Sequence, residues 1–280
     1  MGGARNKILA AIGPVAVLAL GAAPASAHSF GTRYDLPLPL ELYLTGAGAS
    51  VALSFIIMAR FLKHRGETEE ALRFDLLSLP WLGWLGGAVM LNAIRWLSVA
   101  VFGLLLAAGL FGNPDPFKNI APTFVWVLWW VGMAFTSALV GNLWDLVNPW
   151  KILFAWTERV TGGFGPVLSY PPWLGRWPAV VLFLVFAWME LISGQAEHPP
   201  TLALLIVAYS AITWTGMALY GREVWLKNGE TFSAVFGLLA RFAPMVGECG
   251  RLEARLPAAG LLNKRPVPIP TVCFVLFCFC

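Results

Sequence analysis

Residues 88–111 read AVMLNAIRWLSVAVFGLLLAAGLF, and Arg95 is the single charged side chain in this run. About 20 predominantly apolar residues in an α-helix cross the hydrocarbon core of a membrane, so the segment predicts a transmembrane helix. Four further apolar runs predict spans at approximately Leu40–Leu62, Pro122–Leu143, Pro178–Gly194 and Thr201–Tyr220. The predicted fold is therefore an all-α membrane protein with about five mature transmembrane helices.

The composition of the chain excludes a soluble globular protein. Of its 280 residues, 58% are hydrophobic and 12% are charged, whereas about a quarter of the residues are charged in a typical soluble domain. The 14 tryptophans suit the membrane–water interfaces, where an indole ring meets lipid and its N–H still meets water. The net charge of +4 comes from short basic loops beside apolar runs, so the predicted partner is the lipid bilayer and not nucleic acid.

The N-terminal residues 1–27 have the parts of a cleavable secretory signal peptide. A basic start is followed by the apolar run Ile8–Leu20 and by a small-residue cleavage motif at 25–27. Cleavage there would make His28 the first residue of a polytopic membrane domain, residues 28–280, and would leave that residue on the outer side. The alternative is an uncleaved first span, against which the shortness of the apolar run and its proline argue.

The distribution of basic residues predicts the orientation of the chain. With the mature N-terminus outside, the outer segments contain only Arg33 and Lys118. The inner loops contain a longer series of cations, namely Lys63, Arg65, Arg73, Lys151, Arg159, Arg176, Arg222, Lys227 and Arg241. Short loops rich in Lys and Arg stay on the cytoplasmic side. The predicted location is the bacterial inner (plasma) membrane, with the mature N-terminus on the periplasmic side.

Two stretches, residues 80–160 and 172–242, have similar features in the same order and predict an internal repeat. Each copy has a Pro-Trp-Leu-Gly motif before one span and a Trp-x-Gly-Met-Ala motif within the next, at 80–83 and 130–134 or at 172–175 and 214–218. Each copy contains two spans, so both have the same orientation, as in the parallel repeats of some transporters. The alternative is a chance similarity, because Trp and Gly are common in membrane spans.

An amphipathic helix, predicted to lie at the membrane interface, follows the spans of each copy. In the first copy Asn148 is the predicted N-cap and Pro149 the first helical residue. A glycine, a tryptophan and an asparagine precede the helix in both copies, and this order makes Asn228 the counterpart of Asn148. The predicted apolar faces are Trp150, Leu153, Phe154 and Thr157 in the first helix and Phe232, Val235, Phe236 and Leu239 in the second.

The C-terminal stretch 257–280 is proline-rich at its start and predicts an irregular or truncated tail, in which Thr271–Cys280 resembles the beginning of a further span. No Cys-x-x-Cys spacing is present, so we expect unpaired cysteines that bind no metal. The cysteines are Cys249, Cys273, Cys278 and Cys280.

Polar residues at membrane depth are unfavourable and are therefore candidate functional groups. Several are predicted on the outer side, and the candidate metal ligands among them are His28, Glu190 and His198. Imidazole and carboxylate groups suit a divalent transition metal such as copper or zinc, and the amine of a mature N-terminal histidine would favour copper. The alternative is a set of ordinary interface groups, because no His-x-His or His-Glu-x-x-His spacing is present. Further polar residues predicted on this side are Glu41, Asp35 and Glu197.

The segment His28–Leu40, with the sequence HSFGTRYDLPLPL, is more distinctive than the apolar runs. Together with Gly141–Trp144, Asn148–Trp150 and Tyr170–Gly175, it resembles bacterial membrane proteins labelled fenitrothion hydrolase. The resemblance covers most of the mature chain and implies an inner-membrane protein that acts on organophosphate triesters. It also implies a longer chain with further spans, and it assigns no catalytic residue.

Three functions follow as hypotheses. The resemblance favours a membrane-bound hydrolase of organophosphate esters, a reaction that commonly uses a metal-activated water. The predicted repeat and the outer polar residues favour a transporter of a small solute or of a metal. The lack of a recognised catalytic motif in the sequence is consistent with a non-catalytic membrane subunit or assembly factor, which would bind a partner subunit in the membrane.

Overall fold

Helices account for most of the described structure. The computed structural model describes residues 45, 48, 49, 52, 55, 74–78, 83–163, 165–248, 251–261 and 267–279. In chain order, its α-helices and strands are β1 (Phe74–Asp75), α1 (Ala88–Phe111), α2 (Ile120–Leu139), α3 (Trp144–Val147), α4 (Pro149–Thr161), α5 (Trp177–Leu191), α6 (Pro199–Tyr220), α7 (Arg222–Asn228), α8 (Thr231–Leu239), β2 (Met245–Glu248), β3 (Arg251–Ala254) and α9 (Ile269–Phe279). Short 3-10 turns lie at Leu76–Ser78, Gly83–Gly86, Pro116–Lys118, Pro172–Leu174 and Ala259–Leu261.

Four of the predicted spans are confirmed as helical segments long and apolar enough to cross a membrane, and one of them, Pro172–Leu191, includes the 3-10 turn before α5. Helix α1 has the predicted bounds, and α2, α5 and α6 begin and end within a few residues of theirs. Their exposed surfaces carry large apolar side chains such as Val89, Leu104 and Leu139, as lipid-facing surfaces do. The predicted signal peptide and most of the predicted span Leu40–Leu62 lie outside the described residues.

Helix α6 packs closely along α1. Gly109 allows this approach, because a Cβ atom at this position would lie 2.6 Å from the Ala203 Cβ atom and 2.9 Å from the Pro199 carbonyl oxygen. Larger side chains at this point would push the two helices apart. The α1–α6 pair therefore forms a fixed wall against which the shorter helices pack.

The chain between α2 and α5 enters the helical bundle and leaves it at the same end. Helix α3 leads inward, the chain breaks at Asn148, and α4 leads back out. At the break, Ser98 near the middle of α1 donates to a carbonyl oxygen of α3. Trp150 Nε1 donates to the hydroxyl of Ser210 (2.7 Å), near the middle of α6. Asn148 therefore lies about half-way along the bundle, at the apex of residues 140–161, the first re-entrant segment.

The chain after α6 forms a second re-entrant segment, residues 221–239. Helix α7 runs back along α6, the chain breaks at Glu230, and α8 follows. The hydroxyl of Tyr209, near the middle of α6, donates to Glu230 Oε1 (2.5 Å). Beyond α8, the Met245 N–H donates to the Val140 carbonyl oxygen at the end of α2 (3.1 Å). This segment therefore enters and leaves at the same end of the bundle as the first.

These segments differ from the interfacial helices predicted from the sequence. Helix α4 has the predicted N-cap, since Asn148 Oδ1 accepts from the Lys151 N–H (3.1 Å), but Thr157 of its predicted apolar face is exposed. Helix α8 is enclosed by protein, because its side chains pack against several helices and not along one stripe. Its buried residues are Thr231, Phe232, Ala234, Val235 and Phe236.

A small antiparallel sheet in the strand order β1–β3–β2 departs from the all-α prediction. Strands β2 and β3 form a hairpin in which Met245 pairs with Ala254 and Glu248 pairs with Arg251. Phe74 of β1 pairs with Ala254 from the other side. Because β1 is only two residues long and its partner is remote in the chain, hydrophobic periodicity does not predict it.

The C-terminal stretch contains a helix, α9, that packs against α5. Phe274 is fully buried, and its ring centroid lies 5.4 Å from that of Phe183. This apolar helix agrees with the resemblance of Thr271–Cys280 to the beginning of a span, and the irregular conformation predicted within 257–280 does not extend over α9. Cys273 and Cys278 are free cysteines, and Cys249 and Cys280 lie outside the described residues.

Candidate functional site

The carboxylate of Glu230 lies about half-way along the bundle and is fully buried. Glu230 is the N-cap of α8: its Oε1 accepts from the Phe232 N–H (3.0 Å) and its Oε2 accepts from the Ser233 N–H (2.7 Å). Glutamate is not among the preferred N-cap residues, since shorter side chains reach these N–H groups more directly. The longer side chain at this cap also accepts hydrogen bonds from outside α8.

Three side chains of other elements donate to the same carboxylate. Tyr209 Oη donates to Oε1 at 2.5 Å, and Asn148 Nδ2 and Trp144 Nε1 donate to Oε2 at 3.3 Å and 3.4 Å. Asn148 does so while its own Oδ1 caps α4. The carboxylate therefore joins the N-terminal ends of α4 and α8 to the middle of α6. We call Glu230, Asn148, Trp144 and Tyr209 the junction.

The junction holds a carboxylate without a cation. The five groups of the described residues that donate to Glu230 are all neutral. Among the described residues, Glu230 makes no ion pair. The donors match an ionised carboxylate, which only accepts hydrogen bonds, and the N-terminal end of α8 adds the partial positive charge of its peptide dipoles. The junction thus places a carboxyl group among neutral donors in an otherwise apolar interior.

Aromatic rings enclose the junction. Trp150 and Phe232, each two residues after its helix cap, stack with 6.3 Å between ring centroids and 15° between planes. Trp129 of α2 contacts Phe232 edge-on at 4.6 Å and Trp144 at 5.5 Å. Large rings in contact exclude water, so the hydrogen bonds of the junction lie in a low-dielectric environment, where they are strong when satisfied.

A π-helical stretch, Phe124–Val131, forms the part of α2 that faces the junction. Trp129 and Trp130 are adjacent in sequence, and the ring of each lies 5.9 Å from the ring of Phe236 between centroids. The wider turn of a π-helix helps both indoles to face the same side. Such stretches are rare and occur frequently at functional sites.

An apolar cavity of about 400 Å³ lies beside the junction, between α1, α2, α5 and α6. The junction residues Trp144 and Tyr209 form part of its wall, as do the stacked rings of Trp150 and Phe232. Elsewhere the described wall is almost entirely aliphatic and aromatic, with Ser98 as an exception. A cavity of this size and lining is typical of a small-molecule site.

The structure does not bring the outer polar residues of the sequence prediction to the junction. Glu190 lies half-buried in the last turn of α5, and Glu197 and His198 are exposed just before α6, at that same end of the bundle. No three His, Cys, Asp or Glu side chains within the described ranges are grouped so that they could hold a metal ion. The predicted metal set that includes His28 stays a prediction. The positions outside the described residues are His28, Asp35 and Glu41.

Sequence reasoning missed Glu230, although a signal for it is present. Two alignments of the repeat copies are possible. The order of Gly, Trp and Asn aligns Asn148 with Asn228. The predicted apolar faces instead align Trp150 with Phe232, and this second alignment makes Glu230 the counterpart of Asn148. The structure agrees with the second alignment: Asn148 and Glu230 are both N-caps, while the Asn228 amide donates to a carbonyl oxygen within its own helix.

Comparisons with known proteins assign no family. No protein-family model matches the chain, and no curated protein or solved structure matches it significantly. The resemblance to fenitrothion hydrolases therefore stays a prediction.

Proposed function

We propose that the protein is an inner-membrane transporter of small organic cations with an apolar body, with its mature N-terminus on the periplasmic side. The observation that carries the proposal is the junction, where two re-entrant segments meet at a buried carboxylate beside an apolar cavity. Many transporters bind their substrates near the middle of the membrane, where discontinuous helices end. A solute in this cavity would lie next to such helix ends.

The buried carboxylate supports a functional site, because an ionisable group at membrane depth is unfavourable and is usually retained for a role. Its hydrogen bonds come from both re-entrant segments and from α6. A movement of either segment would therefore change the surroundings of Glu230. Alternating access requires this kind of link between a central site and the helices around it.

A parallel internal repeat, residues 80–160 and 172–242, also belongs to this proposal. Each half contributes two apolar spans followed by a re-entrant segment, and Asn148 and Glu230 cap the corresponding helices. The substrate sites of repeat-built transporters lie at the interface between the repeats. The hydrogen bonds of the junction connect the two halves, which supports a site at such an interface.

The proposed substrate class follows from the charge and the lining of the cavity. A cation gains electrostatic stabilisation from the Glu230 carboxylate, which no described cation neutralises and which lies behind Trp144 and Tyr209 of the cavity wall. The aromatic rings of the wall add cation–π attraction. An anion would be repelled by the same carboxylate. The apolar wall favours an aromatic or branched hydrocarbon body over a strongly hydrated one.

A cavity-filling substitution should abolish most of the binding. Ala208→Phe adds a ring to the cavity wall. We expect this variant to bind benzyltrimethylammonium about tenfold more weakly or worse, which corresponds to a loss of about 1.4 kcal/mol in binding free energy. Val207→Phe is the matched control, because both residues are exposed and, of the two, Ala208 alone lines the cavity. The measurement is isothermal titration calorimetry of the three proteins in detergent. Equal affinities of wild type and Ala208→Phe would contradict the assignment of the cavity.

Transport is tested with the full-length protein in liposomes. Benzyltrimethylammonium carries a permanent charge and crosses a lipid bilayer slowly, so uptake of the radiolabelled compound should be faster with the protein than in protein-free liposomes. Val207→Phe should retain this uptake, and Ala208→Phe should lose it. If wild-type liposomes take up no more than protein-free liposomes, a carrier of this cation class is the wrong function.

A hydrolase of organophosphate esters is the second candidate, and the aromatic wall of the cavity favours it, since such a wall accommodates an aryl group. Purified protein should then release the nitrophenol of fenitrothion and contain copper or zinc, with metal lost in His28→Ala but not in His64→Ala. Absence of both metal and release would contradict this candidate. A protein that neither transports nor hydrolyses would instead fit a non-catalytic membrane subunit.

A further inference from the structure

We propose that a basic cleft at the end of the bundle where the re-entrant segments enter binds a phosphate group, as carried by an anionic phospholipid. The cleft has a volume of about 1110 Å³. Among the described lining residues, Ile94 is shared with the apolar cavity and the others are different. Its described walls come from α1, α4, the turn after α2 and the β2–β3 hairpin. This site is independent of the transport proposal.

The cleft has an excess of positive charge. Five cationic and two acidic side chains line its described part. The acids are already engaged, because Asp145 pairs with Lys151 at 2.5 Å and Glu158 pairs with Arg222. The cations that remain are Arg95, Arg159 and Arg251.

These three arginines come from separate elements, namely α1, α4 and β3, and line one cleft. Arg159 and Arg251 are exposed, and neither makes an ion pair within the described residues. The planar guanidinium group presents paired N–H donors that match phosphate oxygens. Several arginines around one cleft can therefore bind a phosphate group together, whereas a carboxylate of the chain would pair with one of them.

The apolar part of the cleft favours a lipid as the source of the phosphate. Leu91 and Ile94 of α1 and Ile152 of α4 line the same space as the arginines, together with Trp156. The Trp156 ring lies 4.2 Å from that of Trp96 between centroids, which fixes it at the cleft. A ligand with a phosphate headgroup and a hydrocarbon tail would satisfy both parts of the wall. Basic residues that only set the orientation of the chain in the membrane do not need to line one cleft together.

The test uses the full-length protein in detergent and the ligand dependence of its melting temperature, from which an apparent Kd follows. The ligands are dioctanoyl phosphatidylglycerol, dioctanoyl phosphatidylcholine and inorganic phosphate. We expect phosphatidylglycerol to raise the melting temperature and the double variant Arg159→Gln/Arg251→Gln to bind it about tenfold more weakly. Lys118→Gln/Lys227→Gln is the control, because it removes the same charge from exposed positions outside the cleft.

Each outcome decides between the sources or overturns the site. Stabilisation by phosphatidylglycerol alone, lost in the arginine variant and kept in the control, supports a lipid headgroup site. Stabilisation by inorganic phosphate with the same dependence on the two arginines supports the phosphate site with a free anion as its source. Equal responses of wild type and the arginine variant, or an equal response to phosphatidylcholine, would overturn the proposal.

Discussion

Substitution of Glu230 by alanine is expected to lower the free energy of unfolding by about 4 kcal/mol or more, a loss in the exceptional range for one residue. The side chain is fully buried and accepts five hydrogen bonds from the part of the chain that the structure describes. Each buried donor left without an acceptor costs about 1–3 kcal/mol, and loss of a helix cap costs about 1 kcal/mol. The measurement is the melting temperature of the purified protein in detergent.

Glu230→Gln is the informative partner of this variant. Its amide oxygen can replace Oε2 and keep the bonds from Trp144, Asn148 and the Ser233 N–H. Its NH2 group then faces the Tyr209 hydroxyl, which can rotate and accept, and the Phe232 N–H, which cannot. We therefore expect this substitution to lower the free energy of unfolding by about 1–3 kcal/mol, which is the cost of one unsatisfied buried donor. If the alanine variant melts like the wild type, the junction does not stabilise the fold.

The glutamine variant also separates stability from function. It retains most of the hydrogen bonds but removes the negative charge, so binding of benzyltrimethylammonium should weaken even though the protein remains folded. Calorimetry of the folded glutamine variant measures this effect directly. Unchanged affinity would show that the charge of Glu230 does not select the solute, while the result for Ala208→Phe would still test the cavity.

The spans were predictable because apolar length is a local property of the chain. The run that forms α1 has the same bounds in sequence and structure, and Asn148 followed by Pro149 predicted the cap of α4 correctly. Both signals depend on residues within a few positions of each other. Local signals of this kind can be recognised in the sequence without knowledge of the fold.

The depth of the re-entrant segments was not predictable in this way. A short amphipathic helix with a polar cap has the same local pattern at an interface and inside a bundle. The contacts that place α4 and α8 inside connect residues remote in sequence, such as Trp150 with Ser210 and Asn148 with Glu230. The role of Glu230 was hidden for the same reason, since its extra donors belong to other elements.

Gly216→Ala is expected to lower the free energy of unfolding by about 3 kcal/mol, the upper range for overpacking a core. A Cβ atom at Gly216 would overlap the Trp225 ring, and one at Gly229 would lie 2.7 Å from the same ring. The indole of Trp225 in α7 therefore fits between Gly216 of α6 and Gly229 at the end of α7. Trp225 is buried, and its Nε1 has no hydrogen-bond partner in the described structure. Packing alone therefore fixes its position.

Displacement of this ring should also disturb the junction, because α7 leads directly to Glu230. Gly237→Ala is the matched control: among the described residues, a Cβ there meets only the Asn142 amide, at 3.9 Å. Alanine in a helix is favoured over glycine by about 0.5–1 kcal/mol. We expect Gly216→Ala to reduce the melting temperature and Gly237→Ala to leave it unchanged or raise it. If overlap with the indole is the cause, Trp225→Leu should cancel much of the penalty in a double variant, whereas strictly additive losses would contradict this explanation.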